Sequence, residues 1–153
     1  MASYIPVDLR NRVRACDRDR CCYCKTSEAL SGIRMAFDHI HPRSKGGETC
    51  FENVCLACRS CNEFKGDSTT GQDILTQQTE PLFNPRLQDW HQHFTWSDDG
   101  TRVEGVTAAG RATVLALRMN NAAIVAARKR GFQWAGILLG TEPGYIHLCR
   151  RGP

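Results

Sequence analysis

Two cysteine pairs of identical spacing, Cys21-Cys22-Tyr23-Cys24 and Cys58-Arg59-Ser60-Cys61, constrain this chain more than any other feature. Two residues between cysteines make a tight turn from which both sulfurs face one point. Two such turns complete the tetrahedral sulfur shell that zinc prefers. A closed four-thiolate shell leaves no position for a substrate, so the predicted role is structural. Cys21, Cys24, Cys58 and Cys61 are the predicted ligands, and Cys22 can replace Cys21 only by spoiling the spacing. Cys16, Cys50, Cys55 and Cys149 read as small core residues. The odd total of 9 cysteines argues against a fully paired disulfide framework. The N-terminal residues show no apolar run ahead of a cleavage site, and no stretch approaches the roughly 20 apolar residues that cross a bilayer. The expectation is a cytoplasmic protein of a reducing compartment, with no membrane partner.

Eight of the nine cysteines lie between Cys16 and Cys61, which divides the 153 residues into a Cys-rich front, 1–70, and a Cys-poor extension, 71–153. The polar run from Gly66 to Asp73 marks the border and reads as a loop. A hydrophobic share of 41% permits a real core, while a net charge of +4 names no partner by itself. In the front, Leu9, Val13 and Cys16 form one apolar stripe of a short helix. Ile33, Met35 and Phe37 alternate with Arg34, Ala36 and Asp38, predicting a strand from Ile33 to Ile40. A loop over Pro42–Gly47, a short apolar piece at Asn53–Leu56 and a helix from Arg59 to Lys65 ending at Gly66 follow. In the extension, Asp99-Gly100 between two strand-like runs predicts a hairpin. Thr107 is the predicted N-cap of a helix to Met119, and Asn120-Asn121 separates it from a second helix to about Lys129.

Between and after the cysteine pairs stand Asp38-His39-Ile40-His41-Pro42, Ser44-Lys45-Gly46-Gly47, Glu52-Asn53 and Asn62-Glu63-Phe64-Lys65-Gly66. In this order and spacing, the segment from Cys21 to Gly66 resembles an HNH endonuclease domain of the kind that carries a four-cysteine zinc. The resemblance implies a ββα-metal core with zinc knuckles; with the C-terminal β-hairpin and helical extension read above, the expected fold class is α+β. The resemblance also implies a bacterial or phage origin.

The residue types suit the implied chemistry. Hydrolysing a phosphodiester needs a nucleophile made near neutral pH and a cation to absorb charge on the leaving oxygen. Histidine can take a proton from water at that pH, so His39 is the expected general base. Asp38 offers a carboxylate oxygen and Asn62 an amide oxygen, a donor pair for Mg2+ or Mn2+. Asn53 matches the family's central Asn, which keeps the loop and base in position. The family's last residue is His, and Asn62 departs from it by contributing no charge. Neighbours on a regular strand point to opposite faces, so Asp38 and His39 share one ion only where the strand ends.

The tail from Leu82-Phe83-Asn84-Pro85-Arg86 through Trp90, Phe94 and Trp96 to Gly110-Arg111-Ala112-Thr113 resembles one found in small bacterial HNH proteins, without implying chemistry. Trp90, Phe94 and Trp96 are expected in the core. Candidate nucleic-acid contacts are His41, Arg43, Lys45 and Lys65 near the site, and Arg111, Arg118, Arg128, Lys129 and Arg130 in the acid-free run from Gly105 to Thr141. The expected function is metal-dependent cleavage of DNA: a nick by one chain, or a double-strand break by a homodimer. No organic cofactor is expected. The alternative is a zinc-knuckle nucleic-acid-binding module without catalysis. A dithiol redox protein fits poorly, because two pairs suit a metal and no βαβ pattern is present.

Overall fold

A computed structural model describes residues 4–134 as an α+β protein built from helices and three separate two-stranded antiparallel ribbons. Helix α1, Val7–Asp17, turns its apolar stripe inward through Val13 and ends at Arg18 in the left-handed conformation. After a short helix α2, Glu28–Ser31, strand β1 (Ala36–His39) pairs with β2 (Val54–Ala57) in the register Asp38↔Cys55 and His39↔Val54. Helix α3, Arg59–Lys65, follows β2 at once and stops at Gly66, as its sequence predicts. These pieces form a β-hairpin with a helix laid on it.

The strand is shorter than its alternation suggested, and its facing is inverted at one position. Ile33 is exposed and lies outside β1, whereas Asp38 points inward and is only 5% exposed. A carboxylate tolerates burial when it is paired. Asp38 accepts hydrogen bonds from Tyr23 Oη at 2.8 Å and from Lys65 Nζ at 3.1 Å.

The polar segment expected to be only a loop contributes a strand. Residues Thr70–Gln72 (β3) pair with Thr79–Pro81 (β4), and neither stretch has apolar alternation to reveal it. The ribbon is held from outside. Buried Asp73 receives two hydrogen bonds from Arg111, at 2.7 and 2.8 Å, on helix α5 (Ala108–Ala116). Arg111, expected against a phosphate backbone, therefore fastens a hairpin to a helix.

A short helix α4, Trp90–His93, leads into strand β5 (Phe94–Trp96), which pairs with β6 (Val103–Gly105). The connecting turn is tied by Asp99, which accepts from Ser97 Oγ and from the amide of Thr101. Thr107 caps α5 through the Gly110 amide, and the helix ends at Ala116, earlier than expected. Asn121 then caps α6, Ala122–Trp134, by accepting from the Ile124 amide. A side chain at Gly105 would meet the Arg111 backbone nitrogen at 2.3 Å, so bare backbone is what lets α5 lie against β6.

One hydrophobic cluster joins Val13, Tyr23, Val54 and Leu56 to Phe83, Trp90, Phe94, Val103, Leu117 and Met119. Phe83 and Phe94 meet edge to face at 5.0 Å between centroids, and Trp90 lies 5.2 Å from Phe94 and 5.5 Å from Trp96. The three aromatics are packed residues, as expected. Trp90 also donates from Nε1 to the Tyr23 carbonyl at 2.7 Å, tying the extension to the first cysteine turn. Cys55 is buried and Cys50 half-buried, while Cys149 lies outside the described residues. Among the described residues, no helix is long and apolar enough to cross a membrane.

The Arg111 guanidinium holds the Asp73 carboxyl well below the usual carboxylate range. A carboxyl shifted this way contributes stability above its unfolded-state pKa of about 4, and loses it as pH falls through the folded value. The stability difference between the protein and its Arg111→Met variant should therefore shrink as pH drops from about 4 toward 2 in urea unfolding. A difference that stays constant over that range would show the pair to be inert.

Candidate functional site

The four cysteines converge as their spacing predicts. Cys21, Cys24, Cys58 and Cys61 are buried, and their sulfurs all lie within 4.8 Å of one another. Cys24 Sγ and Cys58 Sγ are 3.6 Å apart. A zinc tetrahedron with bonds of about 2.3 Å has edges of about 3.8 Å, so the donor set fits. Each pair closes the same turn: the Cys24 amide points at Cys21 Sγ and the Cys61 amide at Cys58 Sγ, both at 3.4 Å. Thr26 Oγ1 adds a contact to Cys24 Sγ at 3.1 Å. Burial pushes the Cys21 thiol well above its usual pKa. Four clustered thiolates need a cation, and these cysteines are positioned to bind a metal ion.

The cluster also builds what surrounds it. Tyr23, lying between two ligands, is fully buried, and burial keeps its phenol protonated. Its hydroxyl donates to Asp38 Oδ2. Cys58 is the N-cap of α3, so the second pair starts the helix that carries Asn62 and Lys65. Lys65 reaches under β1 with its Nζ, donating to Asp38 Oδ1 at 3.1 Å and to the His39 carbonyl at 2.9 Å. Lys65 is 2% exposed, so it differs from the expected phosphate contact: its ammonium neutralises a buried carboxylate. Burial holds the Asp38 carboxyl above its ordinary pKa, against the pull of Lys65 and Tyr23. Asn62 precedes Lys65 by one helical turn and so shares its face of α3. It is half-buried, and its side chain makes no hydrogen bond among the described residues.

His39 is the last residue of β1 and is half-buried. Its Nε2 lies 3.0 Å from Thr49 Oγ1. Burial lowers its pKa, which the Asp38 charge opposes and the Arg43 and Lys65 charges reinforce. The strand ends here because the chain leaves into the loop through Pro42, after the Ile40 amide makes a last bond to the Asn53 carbonyl at 2.9 Å. Asn53 then closes that loop. Its Oδ1 accepts from the His41 amide at 2.7 Å, and its Nδ2 donates to the carbonyls of His41 at 3.0 Å and Glu48 at 2.8 Å. A Cβ on Gly47 would fall 1.8 Å from the His41 carbonyl oxygen, so only glycine fits the closed loop.

The basic candidates divide by surroundings. His41 is exposed, with its ring Nε2 2.9 Å from the Lys45 carbonyl. Lys45 is exposed and donates from Nζ to the Asp67 carbonyl at 2.7 Å, and Arg43 is exposed on the same loop. Arg118 is exposed with its guanidinium 4.7 Å from the Phe64 ring centroid. Arg128 departs from the expected surface contact: it is half-buried and donates to the Thr101 carbonyl at 3.0 Å and to Asn120 Oδ1 at 3.1 Å. Lys129 and Arg130 are exposed on α6, and the end of the acid-free run lies outside the described residues.

Tyr23, Thr49 and Arg86 touch this assembly without having been singled out for it in the sequence. The position of Tyr23 between ligands was the one available signal. Thr49 is an ordinary loop threonine, and Arg86 lies far along the chain.

Residues 21–68 match the family model of the HNH endonucleases. No curated protein and no solved structure matches the chain. The matched segment spans both cysteine pairs, the hairpin and α3, and it is less than half of the chain.

Two measurements check the site. Mass spectrometry under native conditions should find one zinc per chain, and stripping it should unfold the front of the protein, since such sites contribute on the order of 10 kcal/mol in small domains. A Cys58→Ser variant that keeps its thermal midpoint in chelator would contradict the structural role. Lys65→Met should cost about 3–5 kcal/mol in denaturant titration, because it leaves Asp38 buried without its counter-charge. A cost near zero would return Lys65 to the surface contacts.

Proposed function

We propose that this chain is a metal-dependent HNH endonuclease that hydrolyses phosphodiester bonds in DNA. The observation that carries this reading is the state of His39. It is a half-buried imidazole at the end of β1, held below its usual pKa by burial, with a hydrogen bond at Nε2 and none at Nδ1 among the described residues. With Nε2–H donating to Thr49 Oγ1, Nδ1 keeps its lone pair and takes the proton of an attacking water. Neutral imidazole is then the prevailing form at physiological pH.

Asp38 and Asn62 would hold Mg2+ or Mn2+, which when bound supplies Lewis acidity at the scissile phosphate and its leaving oxygen. The chemistry of the two donors, a carboxylate and an amide oxygen, suits such an ion. The Asn62 amide is unpaired among the described residues, and each Asp38 oxygen accepts one hydrogen bond among them while offering about two lone-pair directions. Tyr23 and Lys65 orient Asp38, and Asn53 keeps the loop beyond His39 closed. Exposed Arg43, Lys45, Arg118, Lys129 and Arg130, with His41, are the residues we assign to the phosphate backbone. Zinc at the four cysteines has no part in the chemistry.

A second reading draws on the same carboxylate. Both oxygens of Asp38 are already bonded internally, which suits a zinc-knuckle nucleic-acid-binding module whose Asp-His pair is structural. Supercoiled plasmid separates the two. A nuclease nicks or linearises it with Mg2+ or Mn2+ and not with a chelator that spares zinc, whereas a binding module only retards it. His39→Ala should lower the cleavage rate about 100- to 10,000-fold while keeping its zinc. Because the base works unprotonated and its pKa is depressed, the rate should rise with pH through a midpoint below about 6.5 and be level at neutrality. A midpoint above that value would exclude His39 as the base.

A further inference from the structure

The geometry points to Arg86, from the extension, as a positioning residue of the nuclease site, acting through the turn that carries Asn53. This rests on the nuclease reading above. Arg86 is nearly buried, with 8% of its side chain exposed, and all of its guanidinium nitrogens are engaged. Nε donates to the carbonyls of Phe51 and Val54, both at 3.1 Å, and Nη2 donates to the Val54 carbonyl at 2.7 Å. Those two carbonyls bracket Glu52 and Asn53. The remaining donors close a bidentate pair with Asp17 on α1, at 2.7 and 3.0 Å. Asp17 Oδ2 also accepts the Leu56 amide of β2 at 2.8 Å. The guanidinium carbon lies 4.6 Å from the Phe51 ring centroid.

The local sequence prepares this reach. Asn84 Oδ1 accepts the Arg86 amide at 2.9 Å across Pro85, whose ring fixes the backbone between them, and the Asn84 carbonyl accepts the Gln88 amide at 3.0 Å. The side chain thus leaves a rigid turn. Its planar fork holds both oxygens of a carboxylate and two carbonyls together, a bidentate geometry that the point charge of a lysine ammonium lacks. A buried ion pair is a poor way to gain stability alone, since well-packed apolar residues often do as well. What the fork adds is direction. It fixes the Phe51–Val54 backbone, from which Asn53 closes the loop adjoining the base.

The test uses the full zinc-loaded chain and reads amide hydrogen exchange beside plasmid cleavage. In Arg86→Lys, the His41 and Gly47 amides should exchange about tenfold faster or more, while Cys24, Cys61 and the α3 amides keep their protection. In the same variant kcat should fall about tenfold or more at unchanged KM, as expected for a displaced base rather than lost DNA affinity. Asp17→Asn/Arg86→Gln, which removes both charges, should show the same local loosening. Exchange that accelerates equally everywhere, or a double variant with wild-type loop protection, would overturn the proposal by leaving Arg86 an ordinary ion-pair partner. A wild-type protein that cuts nothing would sink the nuclease reading, while the exchange pattern would still decide whether Arg86 holds the loop.

Discussion

The mutual contact of four buried sulfurs is the constraint on which the site depends. It joins two stretches of chain separated by a hairpin and a long loop, and it fixes their relative placement without a large core between them. One stretch delivers Tyr23, whose hydroxyl reaches Asp38 from one side. The other starts α3, whose Lys65 reaches the same carboxylate from the other side. If the sulfurs separated, Asp38 would lose both partners and become a buried charge without compensation. Clustering thiolates is itself unfavourable without a cation, so an ion bound there would shape the candidate site in the same event.

A second constraint follows from where β1 stops. Neighbours along a regular strand face opposite sides; at the end of β1, Asp38 is buried against Tyr23 and Lys65, and His39 is half-buried beside Thr49. The interior takes the carboxylate and the loop takes the imidazole. Lys65 spans the division by bonding the Asp38 side chain and the His39 carbonyl together. A candidate base and a candidate ion ligand adjacent in sequence are thus held in different surroundings, one with its pKa lowered and the other with its pKa raised by the same physical cause, burial.

The parts legible in the sequence were those encoded locally. The spacing of cysteines, the Thr107 cap, the Gly66 stop and the Asp-Gly hairpin each depend on a few adjacent residues, and each stands where expected. What the sequence concealed depends on partners far along the chain. Strand β3 has no apolar face and is held partly by Asp73 pairing with Arg111. The inward turn of Asp38 follows from Tyr23 and Lys65, so alternation alone assigned it to the wrong side. Arg111 and Arg128 looked like surface charge because a count of basic residues does not reveal an acceptor waiting elsewhere. Lys65 looked like a phosphate ligand for the same reason.

The pairing of Asp17 with Arg86 crosses the polar border between the two halves of the chain. Electroneutrality of the interior is therefore a joint property, since neither half balances its own charges at that point. Grafting residues 1–70, with their four clustered cysteines, into another protein as a cassette would carry along the Asp17 carboxylate while its counterion stayed behind. Any transplant would need a guanidinium from the new host, reaching the same two carbonyls, to stand in for the one it left.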